Sequence, residues 1–110
     1  MIVDRDGHIT IIAQENASVS ALITTIEQSY DKYKNYHLIV RLSSLEKILL
    51  EDIIEFLRLS NTHRSAKKSF VVVSDKVNLD EMPDEIVVVP TIQEAYDIIE
   101  MEDIERDLGF

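Results

Sequence analysis

Residues 37–73 read HLIVRLSSLEKILLEDIIEFLRLSNTHRSAKKSFVVV, and this stretch decides the fold class. It begins with a short apolar run at 37–42 and ends with another at 69–73. The second run is apolar at nearly every position, which is typical of a central strand covered on both faces. Between the runs, residues 50–63 place apolar side chains on one helical face, namely Leu50, Ile53, Ile54 and Leu57. This order predicts a parallel strand pair joined by a right-handed helical crossover.

Toward the N-terminus, the pattern predicts a β-hairpin followed by a helix. Residues 1–5 and 8–13 are rich in strand-forming residues. Asp6-Gly7 between them is a strong hairpin signal, and we expect positive φ at both turn residues. Ser18 is a candidate N-cap. The apolar stripe that follows it consists of Val19, Leu22, Ile23, Ile26, Tyr30 and Tyr33.

Toward the C-terminus, residues 86–89 predict a buried strand that Pro90 stops. Residues 91–94 form a capping box, because Thr91 can cap the Glu94 N–H while Glu94 reaches back. The last helix follows, and it could continue through Leu108. The order β-β-α-β-α-β-β-α predicts an α/β fold with a mixed, mainly parallel sheet, an N-terminal hairpin and about three main helices. We expect residues 1–110 to form a single domain.

The composition is that of a globular protein with an acidic final third. The 110 residues are 45% hydrophobic and carry a net charge of −10. Residues 75–110 hold twelve acidic residues and two basic ones, whereas residues 1–74 hold nine of each. This distribution disfavours nucleic acid as a partner. The acidic third could face a basic partner, or it could be a solvated surface that keeps the protein soluble.

The sequence also bears on location. Its N-terminus lacks the cationic and apolar segments of a signal peptide, and its apolar runs are far shorter than the roughly 20 residues of a membrane span. No cysteine is present, which excludes disulfides and thiolate metal ligands. We therefore expect a cytoplasmic protein without a membrane span.

Catalytic and metal-binding patterns are not found in the sequence. The only two glycines, Gly7 and Gly109, cannot form a phosphate-binding loop. The three histidines, His8, His37 and His63, lack the spacing of a zinc site. We expect structural or surface roles for them, and a cationic imidazole would be favourable for His63 near a helix C-terminus. The sequence therefore predicts no enzyme, no cofactor and no metal site.

Other polar and aromatic clusters have ordinary structural explanations. Neighbouring carboxylates on a helix point about 100° apart, so adjacency alone does not make an acid–base pair. The basic residues Arg64, Lys67 and Lys68 could hold a phosphate or an acidic partner, but a helix end explains them equally. We expect Tyr30 and Tyr33 to pack in the core.

Several segments together resemble the STAS domain, the fold of bacterial anti-sigma factor antagonists and of the cytoplasmic tails of sulfate transporters. The matching segments are the strand 38–43, the loop 44–49, the helix 50–63, the strand 70–73 and the ending VVPTIQEA at 88–95. The resemblance covers nearly the whole chain. It implies a regulatory, non-enzymatic module that binds a partner protein. One departure is the twelve-residue link 74–85, which has room for about one helical turn where the family places a further helix.

The second departure concerns the family's switch motif. In STAS regulators the helix begins Asp-Ser-Ser-Gly, and phosphorylation of a serine there controls partner binding. Here Leu49-Leu50-Glu51-Asp52 stand at those places, so Glu51 replaces the phosphorylatable serine and Asp52 the glycine. The phosphorylatable motif is therefore missing, although Ser43 and Ser44 lie just upstream.

Three interpretations of Glu51 remain open. It could mimic a phosphorylated residue, with less charge and fewer acceptor oxygens than a phosphate. The domain could instead bind a constant partner without any switch. Glu51 and Asp52 could also be simple first-turn acids, which stabilise a helix by about 0.3–1 kcal/mol.

The resemblance places the partner-binding surface on the loop after the third strand and the start of the second helix. The residues expected to bind there are Ser44, Lys47, Leu49, Glu51, Asp52 and Glu55. Leu49 is the candidate anchor, because an apolar residue among charged ones can fill a partner's pocket.

Two other functions are consistent with the sequence. A small-ligand or nucleotide-sensing pocket could lie at the carboxyl ends of the parallel strands, near Ser43, Ser74 and Pro90. The chain could also be an accessory subunit of an enzyme encoded nearby. A homodimer could form through the hairpin edge strand or the acidic last helix.

Overall fold

The computed structural model describes residues 1–13, 18–42, 49–77 and 79–109, and in these residues five strands form one mixed sheet. The strands are β1 (Ile2–Asp6), β2 (Ile9–Ala13), β3 (His37–Arg41), β4 (Phe70–Val73) and β5 (Val87–Val89). They lie side by side in chain order. β1 is antiparallel to β2, and the remaining neighbours are parallel. The predicted α/β fold with an N-terminal hairpin is therefore confirmed.

Among the described residues, three α-helices connect parallel strands, and a fourth follows β5. They are α1 (Val19–Gln28), α2 (Leu50–Ile54), α3 (Leu57–Ser65) and α4 (Ile92–Asp107). As the sequence predicts, the Ser18 hydroxyl caps α1 and the Thr91 hydroxyl caps α4 by accepting the Glu94 N–H. The link 74–85 contains one short 3-10 helix, Leu79–Glu81. None of the helices in the described residues is long and apolar enough to span a membrane.

The single helix predicted over residues 50–63 is wrong, because it is broken into α2 and α3. At the break, the Phe56 N–H donates to the Ile53 carbonyl at 3.0 Å, which is the tighter i to i−3 bond. The Phe56 ring is fully buried, with its centroid 6.1 Å from that of Phe70. The chain thus turns where a large aromatic side chain enters the core.

The hairpin turn differs from the prediction by one residue. Asp6 belongs to β1 and pairs with Ile9, so Gly7 and His8 form the turn. Gly7 has φ of +58°, whereas neither Asp6 nor His8 has positive φ. Positive φ at only the first turn residue matches the type II′ pattern and not the type I′ pattern expected for Asp-Gly.

Each face of the sheet has its own core. On the first face, side chains such as Leu38, Val40 and Val72 pack with α1, α2 and α3. On the second face, alternate side chains such as Ile39 and Val71 pack under α4. The alternation confirms that the strand predicted at 69–73, which the structure has as β4 (Phe70–Val73), is covered on both sides.

Helix α3 ends in a Schellman motif without glycine. The Lys68 N–H donates to the His63 carbonyl, and the Lys67 N–H donates to the Arg64 carbonyl. Lys67 has φ of +65° and is the only described non-glycine residue with positive φ. Two residues of the predicted basic patch, Lys67 and Lys68, therefore shape the helix end.

Candidate partner-binding surface

The predicted binding residues fall into two groups. Ser44 and Lys47, like Ser43, lie outside the described residues. Leu49 is extended at the N-cap position of α2, and its backbone N–H donates to the Asp52 carboxylate at 3.0 Å. The carboxylate of Asp52 thus stabilises the start of the helix, as expected of a first-turn acid.

Three apolar side chains of this segment face solvent, and we call them the α2 apolar surface: Leu49, Leu50 and Ile54. Leu49 is 48% exposed and Ile54 is 43% exposed, whereas Ile53 between them is fully buried. The predicted buried face of residues 50–63 is therefore wrong for Leu50 and Ile54. The residues that do face the core follow a second stripe at helical spacing, namely Ile53, Phe56, Leu59, Ser60 and His63.

The remaining acids differ in their contacts. Glu51 is exposed, and no residue in the described ranges donates a hydrogen bond to its carboxylate. Glu55 is also exposed, but it accepts a 2.7 Å hydrogen bond from the Ser20 hydroxyl of α1. Glu51 is thus the acid of this surface that is most available to a partner.

A groove of about 540 Å³ separates α1 from α2 and α3. Its lining is Ser20, Ile23, Thr24, Glu27, Ile54, Glu55, Leu57 and Arg58. Arg58 bridges it by a bidentate ion pair with Glu27, at 2.7 and 3.2 Å. Because Ile54 belongs to both features, the groove and the α2 apolar surface are continuous. Only the exposure of Ile54 reveals this link, and the apolar pattern in the sequence does not.

His63 is fully buried, as expected of a structural histidine, and this burial opposes the cationic imidazole that a helix C-terminus would favour. Its Nε2–H donates to the Tyr36 carbonyl, which can only accept, and its Nδ1 accepts from the Tyr30 hydroxyl; both distances are 2.6 Å. Burial lowers the pKa of His63 to about 4, although the bond to Tyr36 opposes the shift. His63 therefore has a structural role in the core. Tyr30 and Tyr33 pack in the same core, as predicted.

A second histidine belongs to a polar network at the amino ends of β3 and β4. The His37 Nδ1 accepts the Ser69 N–H, and its Nε2–H donates to Asp103 of α4; both distances are 2.9 Å. Burial lowers the pKa of His37, while Asp103 acts in the opposite direction. Both ring nitrogens are therefore occupied by structural partners.

The same network ties α4 to the sheet through Glu102 and Arg106. The Ser69 hydroxyl donates to Glu102 at 2.6 Å and accepts from Arg106 at 3.0 Å. Arg64 donates to Glu102 and to the Phe70 carbonyl, each at 3.0 Å. These bonds make Arg64 part of the fold. Within the described ranges, no group of three or more His, Asp or Glu residues is placed to hold a metal ion.

Two solved structures share the fold of this chain. One is part of a structure described as the molecular architecture of the stressosome, a signal integration and transduction hub. Its TM-score is 0.60 at 15% sequence identity, and the match covers 90% of this chain and 96% of the other. The second is the crystal structure of a Thermotoga maritima protein assigned as an anti-sigma factor antagonist, with a TM-score of 0.59 at 19% identity, over 90% and 93% of the two chains. No protein-family model matches the sequence, and no curated protein is significantly similar to it. The fold is therefore STAS-like, as the sequence resemblance predicts, and the missing phosphorylation motif stays a prediction.

Proposed function

We propose that this chain is a single-domain, STAS-type regulatory module that docks a partner protein through the start of α2 and the loop before it. The observation that carries the proposal is the α2 apolar surface, which is exposed beside the available carboxylate of Glu51. Isolated apolar residues are common on protein surfaces, but clusters of them next to a groove are typical of interaction sites. The two structural neighbours, named for a stressosome and for anti-sigma antagonism, support a regulatory role.

Each expected residue has a role in this proposal. Leu49 and Ile54 are apolar anchors, and Glu51 pairs with a cation of the partner. Asp52 holds the helix start, and Glu55 acts at the groove with Ser20. Ser44 and Lys47 are proposed contacts from the preceding loop.

Glu51 gives this surface a permanent negative charge in our proposal, so binding does not depend on phosphorylation of that position. The exposed carboxylate supports this interpretation over that of a purely local helix acid, because Asp52 already accepts the free N–H of Leu49. The proposal assigns the chain no catalytic step and no cofactor, and it places the protein in the bacterial cytoplasm.

Site-specific photo-crosslinking in the source cell tests this surface. A photoreactive residue at position 49 should capture a specific protein, which is then purified and titrated against the intact chain. Leu49→Asp and Glu51→Lys should each weaken that binding by about tenfold or more, which corresponds to about 1.4 kcal/mol. Ile2→Asp is the matched control, because Ile2 is 47% exposed and lies on β1.

Equal binding by the wild type, Leu49→Asp and Glu51→Lys would overturn the assignment of this surface. Glu51→Gln and Glu51→Ser separate charge from shape: if both bind as the wild type does, the charge of Glu51 has no role.

The alternative ligand pocket at the strand ends has less support. Ser74 is buried, and its hydroxyl accepts the Lys76 N–H at 3.1 Å, so it serves a local turn. A thermal-shift screen with nucleotides would revive this alternative if one of them raised the melting temperature.

A further inference from the structure

Helix α4 is apolar on two opposite sides. Its inner side buries Ala95 and Ile99 against the sheet. On its outer side, Met101, Ile104 and Leu108 recur at intervals of three and four residues, which places them on one helical face. Ile104 is 54% exposed and Leu108 is 66% exposed. We call these three residues the α4 outer stripe.

A groove of about 330 Å³ adjoins this stripe. Its apolar lining comes from Ile9, Tyr96, Ile99 and Ile104, and its acidic lining comes from Glu100, Asp103 and Asp107. Ile104 belongs to both the groove and the stripe. A long side chain with an aliphatic stem and a cationic end fits such a groove, because the stem can cover apolar surface while the charge reaches the carboxylates.

The charges beside the stripe are all negative. Glu100, Glu105 and Asp107 are exposed, and no cation in the described residues forms an ion pair with them. The only basic residue of α4 is Arg106, which is directed toward the sheet network. Its guanidinium contacts Asp103 at 3.3 Å and the Ser69 hydroxyl at 3.0 Å. The outer side of α4 therefore combines apolar surface with uncompensated negative charge.

We propose that the outer side of α4 docks a basic amphipathic helix of a partner protein. The apolar side chains of that helix pack on the α4 outer stripe, and its Lys or Arg residues pair with Glu100, Glu105 and Asp107. Charge complementarity selects this occupant. A second copy of the chain would bring the same carboxylates together in a protein of net charge −10, and an anionic membrane would be repelled.

This site is separate from the α2 apolar surface, so the two proposals can fail independently. The probe for α4 is a fluorescent synthetic helix with leucines at intervals of three and four and with lysines on both borders. The control peptide carries glutamate in place of each lysine. Fluorescence anisotropy with the full chain should show binding of the lysine peptide that weakens as salt is added, and no binding of the glutamate peptide.

Variants locate the site. Ile104→Ser should weaken binding of the lysine peptide by about tenfold or more. The double variant Glu100→Gln, Asp107→Gln should weaken binding to a similar degree and should also reduce the salt dependence of binding. Ile54→Ser is the matched control on the α2 apolar surface and should bind as the wild type does. Met101→Ser is a second test of the stripe if Ile104→Ser unfolds.

Three outcomes would overturn the proposal. The first is equal peptide affinity for the wild type and every α4 variant. The second is loss of binding in Ile54→Ser to the same degree as in Ile104→Ser. The third is a stable dimer in sedimentation that Ile104→Ser dissociates, since a second copy would then occupy the stripe.

Discussion

The two faces of the sheet are covered unequally. In the described residues, fifteen buried apolar side chains form the core between the first face and α1, α2 and α3, whereas six form the core between the second face and α4. On the first face, the proposed docking surface arises because the stripe that includes Ile53 is buried, which leaves Leu50 and Ile54 outward. On the second face, it arises because a lone helix carries more apolar residues than it can bury. The comparison shows that exposed apolar surface can come from a second apolar stripe on a helical segment or from missing neighbours.

The largest expected effect on stability comes from a substitution in the core of the first face. Phe56→Ala removes a fully buried ring and should lower the free energy of unfolding by about 3–5 kcal/mol. Ile99→Ala in the smaller core of the second face should cost about 2–4 kcal/mol. Urea denaturation measures both changes, and a larger loss for Ile99→Ala would reverse the comparison.

The next largest effect is the pH dependence of stability, which comes from His63 in the core of the first face. The pKa of His63 is about 4 in the folded protein and near its ordinary value of 6.5 in the unfolded chain. The unfolded chain therefore binds more protons between these values, so stability falls as the pH drops from 6.5 to 4. The expected loss is about 2–3 kcal/mol.

His63→Gln is the reference for this measurement, because glutamine cannot become protonated. The difference in unfolding free energy between the wild type and His63→Gln should shrink as the pH falls through this window. A constant difference would show that His63 does not titrate there.

The smallest effect concerns the polar attachment of α4. Arg106→Ala removes the contacts with Asp103 and Ser69 and should cost about 1–2 kcal/mol. Amide hydrogen exchange should also become faster in the second half of α4. Arg58→Ala is the control on the first face, where its exposed pair with Glu27 should contribute at most about 1 kcal/mol. Equal costs would mean that the network does not hold α4.

Much of the fold could be predicted because its signals are local. The run Phe70–Val73 indicates a central strand by itself, and the N-cap residue Thr91 marks the start of α4. The buried face of residues 50–63 could not be predicted, because these residues contain two overlapping apolar stripes. Contacts with the sheet decide which stripe is buried, and those contacts are distant in sequence.

The candidate site was predicted less completely for the same reason. Leu49 is exposed as expected of an anchor, but the exposure of Ile54 and the bond from Ser20 to Glu55 depend on how α1 packs. The burial that lowers the pKa of His63 likewise depends on packing with residues distant in sequence, such as Tyr30, which lies 33 residues away. The α4 outer stripe could not be predicted from the sequence, because a helix with apolar residues on two sides shows no clear polar face.

The edge strand β1 has a consequence for how crowded copies of this protein behave. Every residue of β1 is exposed, and among the described strands only β2 pairs with it. Such an edge offers free backbone groups to a strand of another molecule, which is a common route to aggregation. Three of its five residues are charged, namely Asp4, Arg5 and Asp6. These charges hinder edge-to-edge pairing, so they protect the chain from forming extended intermolecular sheets at high concentration.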